Sequence, residues 1–330
     1  MADERFLKER TRAYQRGWDL ADQLSNEQFP FEGTSTLITD NLELRKGKGR
    51  VKTVVRVVDA DPLVLSNQLE TNKQMKVAII NSGCPNMYGG GVKGGQPGTE
   101  EDLCRRSNYY QSLRQHKRQY AGAHIRMGNV IHVQDMDVFL TPNFDIQDET
   151  FPANIISVMV AKSPSAIGFA DGRLDYEENS DRERMLQCLT NAFRVAEDNE
   201  YQAVILNGVG IGMDRHPING IANVLNEVLT HTRIKYVFYI YEQPSPEDLS
   251  DIRAYRTFYT EIDNRLSKEE VRAKFGELEG AETRERELED AATKEQLEQD
   301  QAHAERQRLR KERRRKKKRL EDAKYRSANE

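Results

Sequence analysis

Between residues 89 and 101 the chain reads Gly89-Gly90-Gly91-Val92-Lys93-Gly94-Gly95-Gln96-Pro97-Gly98-Thr99-Glu100-Glu101. An apolar run, Val77-Ala78-Ile79-Ile80, and the polar Asn81 precede it, and Asp102-Leu103-Cys104-Arg105-Arg106-Ser107 continues it as a helix. Backbone without side chains approaches a ligand closely and adopts positive φ. Successive N–H groups can then converge on an anion, and a helix start adds partial positive charge. A surface turn is the bland alternative for a glycine triplet alone, and its place after a buried strand argues against that. A phosphate cradle beside a carboxylic acid suits cleavage of a glycosidic bond in a phosphate-containing substrate.

A second loop, Asn207-Gly208-Val209-Gly210-Ile211-Gly212-Met213-Asp214-Arg215-His216, follows the apolar run Ala203-Val204-Ile205-Leu206. It approaches a dinucleotide fingerprint but has Met213 where the third glycine would stand. Neither loop carries the Gly-Lys-Ser/Thr of a P-loop. A tight strand-to-helix connection is the other reading. Glu100 and Glu101 are adjacent, so on a helix they point about 100° apart. They cannot flank one bond as the paired carboxylates of most glycosidases do. One is expected to act while the other positions substrate or caps. Acids placed at a helix start for its dipole are the alternative, and Thr99 with Asp102 resembles a capping arrangement. Asn81 ends its strand where its amide could bind ribose hydroxyls, or could satisfy a turn. Arg105 and Arg106 could pair with phosphate, but a solvated helix face is the expectation.

The elements that must hold these loops alternate. An amphipathic helix is expected from residue 3 to about 28, carrying Phe6, Tyr14, Trp18, Leu20 and Leu24. A β-rich stretch follows at 51–58, then strands at 77–80, 130–133, 155–161, 203–206 and 236–241. Helices are expected at about 99–116, 181–199, 217–230 (Pro217 in the first turn) and 246–266. Short apolar strands between helices predict an α/β sandwich with the sheet covered on both faces. Both glycine loops then lie at one sheet edge, where open α/β sheets bind ligands.

The 330 residues suffice for one large or two small domains. The net charge of −4 gives no bulk reason to expect a nucleic-acid partner. No apolar run approaches the roughly 20 residues of a membrane span. Residues 2–10 lack the apolar core of a signal peptide. An intracellular location is therefore expected, cytoplasmic or, in a eukaryote, nuclear. Cys84, Cys104 and Cys188 show no disulfide or metal spacing, which fits a reducing compartment. The six histidines form no ligand pattern either, so neither metal nor cofactor is expected.

The charged fraction of 32% exceeds the usual quarter, and much of it lies after Ser267. There apolar residues become sparse, 277–305 is mainly acidic and Arg306–Arg319 is almost wholly basic. Such a stretch cannot form its own core. Two regions are expected: a folded domain over 1–266 and a charged helical or disordered tail over 267–330. The block Arg306–Arg319 is a candidate contact for nucleic acid or another polyanion.

At these residues the chain resembles the microbial-type poly(ADP-ribose) glycohydrolases of the macrodomain fold. That pattern is an Asn about eight residues before a glycine triplet, then Gln-Glu-Glu, then a Leu-Cys-Arg-Arg-Ser helix. Asn81, Gly89-Gly90-Gly91, Thr99-Glu100-Glu101 and Leu103-Cys104-Arg105-Arg106-Ser107 stand in that order and spacing. Gly208-Val209-Gly210-Ile211-Gly212 resembles the family's second diphosphate loop. The likeness spans about 51–241. It departs at Thr99 in place of Gln, at Tyr88 in place of Pro, and at Met213-Asp214, where the family has an aromatic near the terminal ribose.

The resemblance implies a macrodomain-like three-layer α/β/α sandwich with a mixed sheet, and hydrolysis of ADP-ribose linkages without metal. It implies Glu101 as the general acid and base, and Glu100 as a holder of neighbouring hydroxyls. Asn81 would position the terminal ribose. Gly89, Gly90, Gly91 and Val92, with Gly208, Val209, Gly210, Ile211, Gly212 and Met213, would bind the diphosphate. The partner would be ADP-ribose or its polymer on a modified macromolecule. A module that binds ADP-ribose without cleaving it is the alternative, and a scaffold acting through the charged tail is a third reading.

Overall fold

A computed structural model describes residues 2–43, 52–122, 125–169, 173–242, 249–263 and 275. The chain divides into two units, Met1–Leu266 and Ser267–Glu330. The acidic stretch and the block Arg306–Arg319 lie outside the described residues.

In chain order the first unit contains α1 (Ala2–Glu27), β1 (Thr34–Ile38), β2 (Val54–Val58), α2 (Pro62–Lys73), β3 (Val77–Gly83), α3 (Thr99–Arg106), α4 (Tyr109–Arg114), α5 (Lys117–Ala121), β4 (Val130–Leu140), β5 (Ile146–Met159), β6 (Ala166–Gly168), β7 (Leu174–Tyr176), α6 (Asn179–Asp198), β8 (Ala203–Asn207), α7 (Ile218–His231), β9 (Tyr236–Ile240) and α8 (Leu249–Ile262). Seven strands form one sheet in the order β1-β4-β5-β3-β8-β9-β2, and β6-β7 is a separate hairpin. The pairs β5-β3, β3-β8, β8-β9 and β9-β2 are parallel, while β4 runs antiparallel to both β1 and β5. The sheet is therefore mixed, as expected.

Central strands buried on both faces need apolar residues at every position, and Val77–Ile80 and Ala203–Leu206 are all fully buried. On one face Val77, Ile79, Ala203 and Ile205 pack with Leu63 of α2, Leu103 of α3, and Tyr109 and Leu113 of α4. Alternation turns Ala78, Ile80, Val204 and Leu206 to the other face, where α6 packs on β4 and β5, and α7 on α6. Three layers result.

Several elements differ from their expected form. The helix expected over 99–116 is two short ones, α3 and α4, with α5 following at Lys117. Ser107 leaves helical geometry (φ −155°, ψ 176°) and bridges to Val138 of β4. Its hydroxyl turns back onto the Leu103 carbonyl at 2.6 Å. Helix α2 begins where Asp61 caps the Val64 amide at 2.8 Å and Pro62 occupies the first turn. Its sequence has no apolar stripe that periodicity could detect. Pro217 is the cap of α7 and not its first residue.

Candidate active site

The carboxyl ends of β3, β5 and β8 point one way because these strands are parallel. Asn81 and Asn207 face each other across β3 and β8. The Asn207 amide donates to Asn81 Oδ1 at 3.3 Å, and Asn81 Nδ2 donates to the Ser82 carbonyl at 3.0 Å. Asn81 is fully buried. Its side chain ties two strand ends together below the loops, and the structure brings it under both of them.

Above this floor the glycine triplet and α3 fold onto each other. Glu100 is buried, and both its oxygens are engaged. Oε2 accepts from the Cys84 amide at 2.6 Å and Oε1 from the Gly89 amide at 2.9 Å. Burial pushes its pKa up to about 8, against two amide bonds that favour the charged form. Glu101, one position on, is partly exposed. Its Oε1 accepts from the Gly91 amide at 2.9 Å. Its carboxylate lies against two glycines: a Cβ on Gly90 would come within 2.3 Å of Oε1, and one on Gly98 within 2.1 Å of Oε2. Gly90 has φ +53° and Gly98 φ +152°, which are glycine conformations. The two acids thus separate. Glu100 staples the strand exit to the triplet, and Glu101 presents a carboxylate to solvent from a fixed seat.

This geometry corrects the reading of the triplet as a phosphate cradle. The Gly90 amide donates to the Met87 carbonyl and the Val92 amide to the Gly89 carbonyl. With Gly89 and Gly91 donating to the two glutamates, every amide from 89 to 92 is used inside the protein. The groups that the triplet holds are its own carboxyls.

Two further expectations fail. Thr99 does not cap: Gly98 is the cap residue of α3 without a side-chain bond, and Asp102 pairs with Arg106 at 3.1 Å. Nor are Arg105 and Arg106 a solvated face, since each is 1% exposed. Arg106 bonds Asp61 at 2.5 Å and the Leu140 carbonyl at 3.4 Å. Arg105 stacks over Tyr14 of α1 at 4.4 Å and donates to the Gln96 carbonyl. The two guanidiniums anchor α3 and the loop before it, so α1 is part of the platform that holds Glu101.

The second loop carries three glycines with positive φ: Gly208 (+64°), Gly210 (+89°) and Gly212 (+62°). Gly208 and Gly212 are at least partly exposed, and Met213 is 56% exposed. Val209 is buried, and its carbonyl accepts from the Tyr239 hydroxyl. Ile211 is also buried, at the turn between Gly210 and Gly212.

Sequence reasoning missed four groups beside the site. Asp214 is buried and bonds Ser82 at 2.5 Å. Lys162, past the end of β5, is exposed and its charge reaches Glu100. The hydroxyls of Tyr109 and Tyr120 are buried, and burial first and the neighbouring Glu100 second raise both phenols. No spacing in the chain marks them, because the fold alone brings them together.

Other nucleophiles and bases are poorly suited. Burial raises the Cys104 thiol well above its usual range and the Cys188 thiol to about 12. It lowers His116 and His216, and takes His132 to about 4. Among the described residues no cluster of His, Cys, Asp and Glu could hold a metal ion, and no helix is long and apolar enough to cross a membrane.

Residues 5–140 match the microbial-type PARG catalytic domain. The resemblance read from the motifs is borne out there. The poly(ADP-ribose) glycohydrolase (PARG) of Thermomonospora curvata superimposes with a TM-score of 0.57 at 16% identity, covering 74% of this chain and 88% of that one. The same enzyme bound to the inhibitor ADP-HPD gives 0.53 at 16%, covering 73% and 87%. PARG of Deinococcus radiodurans in complex with ADP-ribose gives 0.54 at 20%, covering 68% and 93%. No curated protein sequence matches. At these identities the structural likeness shows the fold. The PARG family match spans Asn81, the triplet, Glu100, Glu101 and the arginine pair, and stops before the second loop.

Proposed function

We propose that the chain hydrolyses the glycosidic linkages of poly(ADP-ribose), with Glu101 as the general acid and base. The observation that carries this reading is the seat of Glu101: one oxygen on the Gly91 amide, two glycines against the carboxylate, and an open side to solvent. Protonated Glu101 gives its proton to the leaving ribose oxygen as the bond from that oxygen to the anomeric carbon breaks. Water then attacks the anomeric carbon and returns a proton to Glu101. The Gly91 amide fixes the direction of the carboxylate, which is the positioning that such transfer needs. Glu100 holds the backbone on which Glu101 sits, and only its remaining lone pairs are left for a ribose hydroxyl. The diphosphate falls to the second loop, whose glycines permit close approach, with the exposed Lys162 supplying positive charge at the mouth.

The test is release of free ADP-ribose from labelled polymer by the full chain and by Glu101→Gln. Turnover by the wild type and its loss in the variant, with ADP-ribose binding kept within about tenfold, is the expected result. Wild-type turnover in the variant sinks the assignment of Glu101. Binding without any release by the wild type makes the chain a reader of ADP-ribose. Arg306–Arg319 adds a second contact for the polymer, resting on charge alone: eleven basic residues and one acid in fourteen positions.

A further inference from the structure

Asp214 is the point where three strand ends meet. One oxygen, Oδ2, accepts both from the Ser82 hydroxyl at 2.5 Å and from the Gly210 amide at 3.0 Å. Its carbonyl accepts from the Ser163 amide at 2.7 Å. Ser82 lies near the end of β3, Ser163 follows β5, and Gly210 is in the loop after β8. Asp214 is 4% exposed, and no cation pairs with it among the described residues. Just beyond it His216 accepts from Tyr176 at 2.7 Å and donates to the Ala161 carbonyl at 2.9 Å.

The consequence for the loop is twofold. The Gly210 amide is taken by an internal carboxylate, and the Gly208 and Ile211 amides by the Leu206 and Gly208 carbonyls. Among the described residues, the Gly212 and Met213 amides meet no acceptor and, on exposed residues, stay open to an anion. A loop already bonded in this way loses little freedom when ligand arrives. A buried negative charge a few residues away opposes any phosphate there, and weak screening keeps the opposition large.

We propose that Asp214 is a positioning residue for the diphosphate group of the ligand. Its hydrogen bonds fix the second loop in the receiving shape, and its charge limits how tightly that loop holds the diphosphate. The inference rests on ADP-ribose being the ligand. It gives the chain a means to release ADP-ribose after cleavage while keeping an ordered loop.

Asparagine and alanine separate the two roles. Because both bonds reach the same oxygen, Asp214→Asn keeps both acceptor contacts through its amide oxygen and removes only the charge. Asp214→Ala removes contacts and charge together. Calorimetry of ADP-ribose with the full chain should show binding strengthened by roughly tenfold in Asp214→Asn, the order of effect that removing one nearby unit charge has at an intermediate effective dielectric. Ser82→Ala, which removes one contact and keeps the charge, should bind more weakly than wild type, and Asp214→Ala more weakly than Asp214→Asn, both remaining folded by thermal melting. A purely structural role would weaken binding in the asparagine variant as well. Equal or weaker binding by Asp214→Asn therefore overturns the proposal, and so does unchanged binding by a folded Ser82→Ala. If the wild type itself fails to bind ADP-ribose, the functional reading falls, a result separate from either outcome for the variants.

Discussion

Replacing Gly90 by alanine tests whether the triplet exists to seat Glu101. The new Cβ would stand 2.3 Å from Glu101 Oε1, where ordinary contact begins at 3.4 Å, so the carboxylate must withdraw by about 1.1 Å. Gly90 also has φ +53°, and an L-residue there is strained by about 1–2 kcal/mol. Strain alone lowers stability by that amount and leaves turnover nearly intact. Displacement of the acid does the reverse, since a shift of about 1 Å in a catalytic group can lower the rate about a hundredfold. Gly90→Ala should therefore lose 1–2 orders of magnitude in turnover on labelled polymer, with about 1–2 kcal/mol less stability in denaturant titration. Its ADP-ribose affinity should stay near wild type, because the second loop is untouched. Gly94→Ala is the control: a Cβ there meets nothing within 4 Å, and turnover should not change. A folded Gly90→Ala enzyme with turnover within about threefold of wild type would refute the reasoning, and Glu101 would not need its seat.

Two further outcomes follow from charge. Glu100 has its pKa raised from 4.5 to about 8 by burial. Between those values the unfolded chain has released a proton that the folded chain still holds, so stability should fall as pH rises from about 4.5 to 8. Measured against Glu100→Gln, which cannot ionise, the wild type should lose ground across that window by at most roughly 1.4 kcal/mol per pH unit and no further above it; parallel stability profiles would remove the claim. Deleting residues 306–330 should weaken binding to long polymer and flatten its salt dependence without changing affinity for ADP-ribose; identical polymer binding with and without the segment, at low and high salt, would dismiss the basic block as a contact.

Much of the central sheet was legible because its strands are buried on both faces, and such strands must be apolar runs. Val77–Ile80 and Ala203–Leu206 leave no other reading, and their alternation with helices gives the sandwich. Strand β1, Thr34-Ser35-Thr36-Leu37-Ile38, was not legible. An edge strand shows one row of its backbone to solvent and tolerates polar residues, so no periodicity marks it. The fragmentation of 99–121 was hidden for another reason: Ser107 breaks the helix by taking an extended conformation that a bridge to Val138 rewards. That partner lies 31 residues away in sequence. Arg105 and Arg106 were misread because composition assigns arginine to the surface. Only the fold reveals Asp61 and Asp102 converging on one guanidinium, and Tyr14 with Gln96 on the other.

The site itself was legible as a set of residues and not as a set of roles. Glycine density in sequence says that backbone will be bare and that something must come close to it. It does not say what. A ligand phosphate and the protein's own carboxylate place the same demands on a loop, namely free amides, positive φ and no Cβ. In the first loop the structure answers with Glu100 and Glu101, and in the second with Asp214 on Gly210. The difference between the loops lies in what is left over. The first has spent every amide from 89 to 92, so its output is a carboxylate held in place. The second keeps the exposed Gly212 and Met213 amides without an acceptor among the described residues, so its output is a place for an anion. An acid seated on one loop beside an anion site on the other is the arrangement that cleavage next to a diphosphate requires. It arises because parallel β3 and β8 deliver both loops to the same edge of the sheet.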